Sequence, residues 1–134
     1  MTVYQNYNIN DYEHILGISI NELLYAIRQC IDKPEFRVGI FIQSPEVRLQ
    51  CADFIVRVLR EMNCSYYRST NSNPFIIIEN TSIIRFPFVT DNSRGTRFCI
   101  ALINDDVDQR IKKNVIEPAI RPYSKGFYRL AHGF

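Results

Sequence analysis

The chain has 134 residues, which fits one domain with a single core and leaves no room for a second. Apolar residues make up 46% of it, including eight Tyr and nine Phe, so a sizeable core forms and a disordered chain is excluded. The net charge is +2 with no block of like charges; an unselective polyanion binder is excluded, and nucleic acid would need a local patch.

The segment Met1–Asn8 lacks the basic head and apolar stretch of a secretory signal, and no run approaches the ~20 apolar residues that cross a bilayer. A cytoplasmic protein without membrane contact is the expectation. Cys30, Cys51, Cys64 and Cys99 lie far apart, without a Cys-x-x-Cys pair or a neighbouring His. They read as reduced, mostly buried thiols rather than disulfide or zinc partners. Asn63-Cys-Ser65 and Asn80-Thr-Ser82 match a glycosylation pattern that arises often by chance.

Residues 1–17 read as an N-terminal extension and 18–134 as the core. The first predicted helix opens at Ser19, whose spacing to Glu22 forms a capping box. Ile20, Leu23, Leu24, Ile27 and Ile31 repeat at helical spacing, and the helix ends near Asp32-Lys33-Pro34. Phe36–Ile42 is β-rich and almost wholly apolar after Arg37, as in a central strand covered on both faces. A second helix follows, with Ser44 as cap, Pro45 at its first position and Glu46 near the positive end of its dipole. Its apolar stripe runs from Val47 through Cys51, Phe54, Ile55, Val58 and Leu59 to Met62.

After Asn63 the pattern turns extended: Cys64–Ser69, Phe75–Glu79 and Ser82–Phe86. Glu79-Asn80-Thr81-Ser82 predicts a hairpin connection, and Pro87 must end the second arm or place it on an edge. Thr90–Gly95 is a loop, and a strand from Arg97 to Ile103 runs into Asn104-Asp105-Asp106. A third helix is expected from Asp105 or Asp106 through Ile120, and a last extended piece covers Gly126–Ala131. This layout predicts an α/β domain: a three-layer sandwich with a mixed, mainly parallel sheet and an inserted β-hairpin. The ends of the two cleanest parallel strands, Ile42 and Ile103, should lie side by side.

The order of strand, loop, helix, the hairpin Ile76–Phe86, the Arg94-Gly95 loop, an apolar strand ending in acids, and a helix with Glu117-Pro118 resembles the ATPase half of viral large terminases. The likeness covers about Phe36 to Pro122. It implies a P-loop-like fold in which Asp105 or Asp106 stands where a magnesium-holding acid and a catalytic glutamate stand. The chain departs from the family in the first loop. A phosphate cradle needs glycines, a lysine and a metal-binding hydroxyl; Gln43–Gln50 has neither glycine nor lysine, Pro45 removes a donor and Glu46 repels phosphate. Arg48 is a poor substitute, so the resemblance implies a degenerate nucleotide site.

Asp105 and Asp106 are the candidate metal ligands, for Mg2+, because ligands of α/β sheets bind at the carboxyl ends of strands. The same acids would serve as ordinary caps of the third helix, a role that outweighs the metal site. His14 and His132 have no triad spacing, and Glu79 lacks the Glu-x-Lys that follows in restriction-type nucleases. Arg85, Arg94 and Arg97, on or beside the hairpin and its loop, are the candidate nucleic-acid contacts, with Tyr66-Tyr67-Arg68 supplying aromatics that stack on bases. The expected function is therefore a non-catalytic binding domain, without a cofactor, that contacts a nucleic acid, another protein or a second copy of itself. The competing reading is a metal-dependent hydrolase or nucleotide-binding enzyme using Asp105, Asp106 and Glu79.

Overall fold

A computed structural model of the chain describes residues 9–69, 74–87, 98–111, 113 and 129–132. The elements in order are α1 (Ile9–Leu16), α2 (Ile20–Asp32), β1 (Arg37–Phe41), α3 (Pro45–Glu61), β2 (Tyr66–Arg68), β3 (Phe75–Ile78), β4 (Ile83–Arg85), β5 (Ile100–Ile103), α4 (Gln109–Ile111) and β6 (Arg129–His132). They form an α/β domain around one mixed sheet of order β2-β3-β4-β1-β5-β6. β1 pairs in parallel with β4 and β5, and β5 with β6, while β3 pairs antiparallel with both β2 and β4.

The helices form where the sequence supplies their ends. Ser19 Oγ accepts from Glu22 N at 3.3 Å to open α2, and Ser44 Oγ accepts from Val47 N at 3.3 Å to open α3, with Pro45 following. Each side chain satisfies an amide that has no partner within the helix. α1 falls inside the segment read as an extension. Tyr12, Ile15 and Leu16 have the i, i+3, i+4 spacing of a helix face, and Tyr12 packs on Phe54 of α3 with ring centroids 5.0 Å apart.

Period-two alternation along the strands sorts the core onto two faces. Val38, Ile40, Ile76, Ile78, Ile84, Ile100 and Leu102 are buried in one cluster with the apolar stripes of α2 and α3 and with Leu16 of α1. Phe41, Ala101 and Ile103 point the other way and pack with Phe98, Val107 and Ile111. The described helix on that second side is the short α4; the expected third layer otherwise falls on residues outside those described. Gly39 lies in β1 beneath Phe98 and Phe41, and a Cβ there would come within 3.0 Å of both rings.

The β3–β4 connection follows the expected hairpin. Thr81 N donates to the Ile78 carbonyl and Ile78 N to the Ser82 carbonyl, both at 2.8 Å, while Thr81 holds a φ of +72°. This turn also closes the end of α2. Asn80 Nδ2 lies within hydrogen-bond distance of the carbonyls of Cys30, Ile31 and Lys33, and Ser82 Oγ donates to Lys33 O at 2.6 Å and accepts from Phe36 N at 3.0 Å. With its amide held against the helix end, Asn80 is not a glycan acceptor in the folded chain. β4 stops at Arg85, ahead of Pro87, and lies between β3 and β1 rather than at an edge.

Candidate functional site

The carboxyl ends of β1 and β5 do lie side by side, with Phe41 opposite Ile103. The residue that organises this corner is Asn104, which is 7% exposed. Its backbone N donates to Phe41 O at 2.9 Å, its Oδ1 accepts from Asp106 N at 2.8 Å, and its Nδ2 donates to Leu16 O. Asp105 N donates to the Gly17 carbonyl at 3.2 Å, which ties the α1–α2 corner to the end of the central strands. Gly17 has a φ of +63°, and a Cβ on it would lie 2.9 Å from Asn104 Cγ, so both its conformation and its neighbour require glycine.

Asp105 and Asp106 sit in a turn and are exposed, and α4 starts only at Gln109. The expected helix start at these acids is therefore corrected. Asp108 supplies the cap, its Oδ1 accepting from Arg110 N at 2.7 Å. The reason is local: the Asn104 side chain closes a turn on Asp106 N and holds the backbone out of helical geometry for the next residues. Among the described residues, no group of three or more His, Cys, Asp or Glu side chains is placed to hold a metal ion. Lys113 is exposed, and the expected continuation of the helix through Ile120 otherwise falls outside the described residues.

The loop after β1 is filled by its own side chains. Ser44 Oγ is committed to Val47 N, and Arg48, 7% exposed, turns back so that Nη2 donates to the Gln43 carbonyl at 3.3 Å. Glu46 is exposed at the first turn. A guanidinium packed into the loop cannot also reach out to a phosphate above it.

Several basic residues on the helical side bind within the fold. Arg57 Nη1 donates to Tyr12 Oη at 3.0 Å, Arg60 Nε to Tyr66 Oη at 2.8 Å, and Arg68 Nη1 pairs with Asp53 at 2.7 Å. Tyr66 and Arg68 thus belong to the α3 side, whereas Tyr67 faces away from it. The tyrosine pair of the sequence is split between the two faces.

Beyond α3, the antiparallel half of the sheet presents an open face. Tyr67 lies opposite Ile77, Ile77 opposite Ile83 and Ile83 opposite Arg37, forming one row across four strands. The next row holds Phe75 opposite Arg85 and Arg85 opposite Gly39. Tyr67 is 62% exposed and Ile77 36%, Phe75 and Ile83 are half-buried, and Arg85 and Arg37 are exposed. The Tyr67 and Phe75 rings lie 6.2 Å apart, tilted at 47°. Strands spaced about 4.8 Å apart, with same-face residues roughly 6.6 Å apart along each, make these two rows one continuous patch. Glu79, also exposed, lies beyond Ile77 at the end away from Arg85, so the Arg85 end is the positive one.

Of the three arginines singled out as nucleic-acid contacts, Arg85 belongs to this patch; Arg94 and Arg97 lie outside the described residues. Nothing in the sequence assigns Tyr67 to one face or marks Phe75 and Ile77 as lining an uncovered one. Phe75-Ile76-Ile77-Ile78 is a continuous apolar run with no alternation to show that one side is uncovered. The four cysteines are unpaired. Burial raises the Cys30 and Cys51 thiol pKa values well above the ordinary range, that of Cys30 with a smaller push from Cys99.

No family model, curated protein or solved structure matches the chain. Among the described residues, no helix is long and apolar enough to cross a membrane.

Proposed function

We propose that this protein is a non-catalytic binding domain that engages its partner across the open face formed by β2, β3 and β4. The observation that carries the proposal is the grouping of the exposed Tyr67 and Ile77 and the half-buried Phe75 with the exposed cation of Arg85 on one face of the sheet. Isolated apolar residues on a surface need no explanation, but a contiguous patch of them marks an interaction site. The strand-end corner supports the same reading from the other direction. Its buried polar residue, Asn104, spends its hydrogen bonds on joining α1, β1 and the following turn, and Arg48 spends one on its own loop. In this reading the terminase-like resemblance describes a P-loop-like scaffold whose phosphate loop has degenerated into a helix cap.

Incubation with ATP and magnesium is the direct test. The expected outcome is no phosphate release and no change in the thermal unfolding midpoint. A ligand that binds the native state adds about 2.7 kcal/mol of stability at 100 times its dissociation constant, a shift that unfolding curves resolve. Turnover that disappears in Asp106→Ala would overturn the binding-domain reading in favour of a metal-dependent hydrolase.

A further inference from the structure

We infer that the partner of the open face is a single-stranded nucleic acid, with bases stacked on Tyr67 and Phe75 and a phosphate held by Arg85. The inference rests on the binding-domain reading and deepens it by naming the ligand. Three features of the face point to this chemistry rather than to a protein groove or a duplex.

The aromatic rings are presented from neighbouring strands. Tyr67 and Phe75, with centroids 6.2 Å apart, offer two adjoining stacking surfaces rather than one packed aromatic core. Tyr67 is the most exposed large apolar side chain among the described residues. An aromatic ring raised from a strand meets the π-face of any base, and such platforms accept strands with little sequence preference.

The cation stands beside the rings, not remote from them. Arg85 is directly opposite Phe75 in the β3–β4 ladder, so its guanidinium and that ring share one row. In a strand whose base stacks on the ring, the attached phosphate falls within a few ångströms of the base, the reach that an arginine on the adjacent strand has. Ile77 and Ile83, opposite each other in the row between Tyr67 and Arg37, provide an apolar floor for the second base.

The surface is also the wrong shape for a duplex. A B-form major groove is read by an inserted helix or a two-stranded ribbon, whereas this face spreads across three strands, from the edge strand β2 to β4, and carries its contacts on side chains of ordinary length. Stacking needs bases that are already unpaired. Glu79 bounds the patch on the side away from Arg85, which gives the phosphate backbone a preferred end.

Fluorescence anisotropy with labelled dT12, its duplex with dA12, and rU12 tests the inference, at 50 mM and 200 mM salt. Rings and a guanidinium read features that DNA and RNA share, so dT12 and rU12 should bind within a few-fold of each other and at least ten-fold tighter than the duplex. Tyr67→Ala should weaken dT12 binding by roughly five- to 150-fold, the loss that removal of one stacking side chain produces, and Tyr67→Phe should restore it. Arg85→Ala should lower the slope of log affinity against log salt by about 0.7, the single-strand value for one phosphate contact, whereas Arg28→Ala on the outer face of α2 should leave it unchanged. Tyr67 and Arg85 are exposed, so circular dichroism should show these variants folded like the parent.

Equal affinity for duplex and single strand, full binding by Tyr67→Ala, or no binding at 50 mM salt would each overturn the inference. So would a dimer, detected by sedimentation, that Tyr67→Ala dissociates, because a second copy would then occupy the face. Any of these results without ATP turnover leaves the binding-domain reading standing. Turnover itself sinks that reading.

Discussion

Asn104 shows how one side chain can decide the character of a corner in which its neighbours carry the charge. The carboxylates beside it are exposed, whereas its amide joins Leu16, its own oxygen closes the turn at Asp106, and its backbone extends the β1–β5 pairing. Asn104→Ala should therefore cost about 2–4 kcal/mol in urea denaturation, since it removes two hydrogen bonds and leaves the Leu16 carbonyl without this donor in a buried setting. Asp105→Ala and Asp106→Ala should each stay within about 0.5 kcal/mol of the parent, as exposed residues outside special geometry do. A loss from Asp106→Ala as large as that from Asn104→Ala would restore a structural or metal-binding role to the acids. Gly17→Ala should behave like Asn104→Ala, losing more than about 1 kcal/mol, because the residue sits at positive φ against the same amide. In the sequence, the Asn104-Asp105-Asp106 run could be found but its roles could not be sorted. Three small polar residues at a strand end look alike until the Leu16 carbonyl, distant in sequence, is brought to one of them.

At the scale of elements, the legible parts are those whose chemistry is local. Ser19, Ser44 and Pro45 announce α2 and α3 through caps that close within three residues, and both helices begin where those residues place them. α1 packs through only Tyr12 and Leu16, and its stability comes from contact with α2 and α3, which no local signal encodes. The turn between β3 and β4 was legible as a turn, but its second task was not. Asn80 and Ser82 reach back across the sequence to close the carboxyl end of α2, so the hairpin and the first long helix are stabilised together. Ser82→Ala should lose about 1–3 kcal/mol, because it leaves Phe36 N without its buried acceptor and Lys33 O without this donor. Thr81→Gly, at the same turn, should be neutral or stabilising, since the left-handed φ of +72° suits glycine better than a β-branched residue. If Ser82→Ala unfolds at the parent's denaturant midpoint, the clamp is not contributing.

At the scale of the whole molecule, the described residues give the sheet a covered side and a side that is covered only in part, and the thiols report on the covered one. Cys30 and Cys51 lie on the buried faces of α2 and α3 within the large core, and desolvation raises both thiol pKa values far above their ordinary range; Cys64 is raised too, by burial first and then by the charge of Glu79. The sign of the resulting pH dependence is fixed. In the unfolded chain a thiol loses its proton near pH 8.5, while the buried thiols of the folded chain keep theirs. Above that pH the native state therefore binds more protons than the unfolded state, and stability falls as pH rises. Cys30 and Cys51 should each contribute a slope of about 1.4 kcal/mol per pH unit above roughly pH 9. Lysines and tyrosines titrate in the same range, so the informative quantity is a difference. Cys51→Ala should flatten the fall of unfolding free energy between pH 9 and 10.5 by about 1.4 kcal/mol per unit relative to the parent, whatever the variant costs at pH 7. An unchanged slope would mean that the Cys51 thiol ionises as readily in the folded chain as in the unfolded one. That result would be incompatible with a site sealed between α3 and the sheet, and would place solvent in the part of the core on which the open face depends for its rigidity.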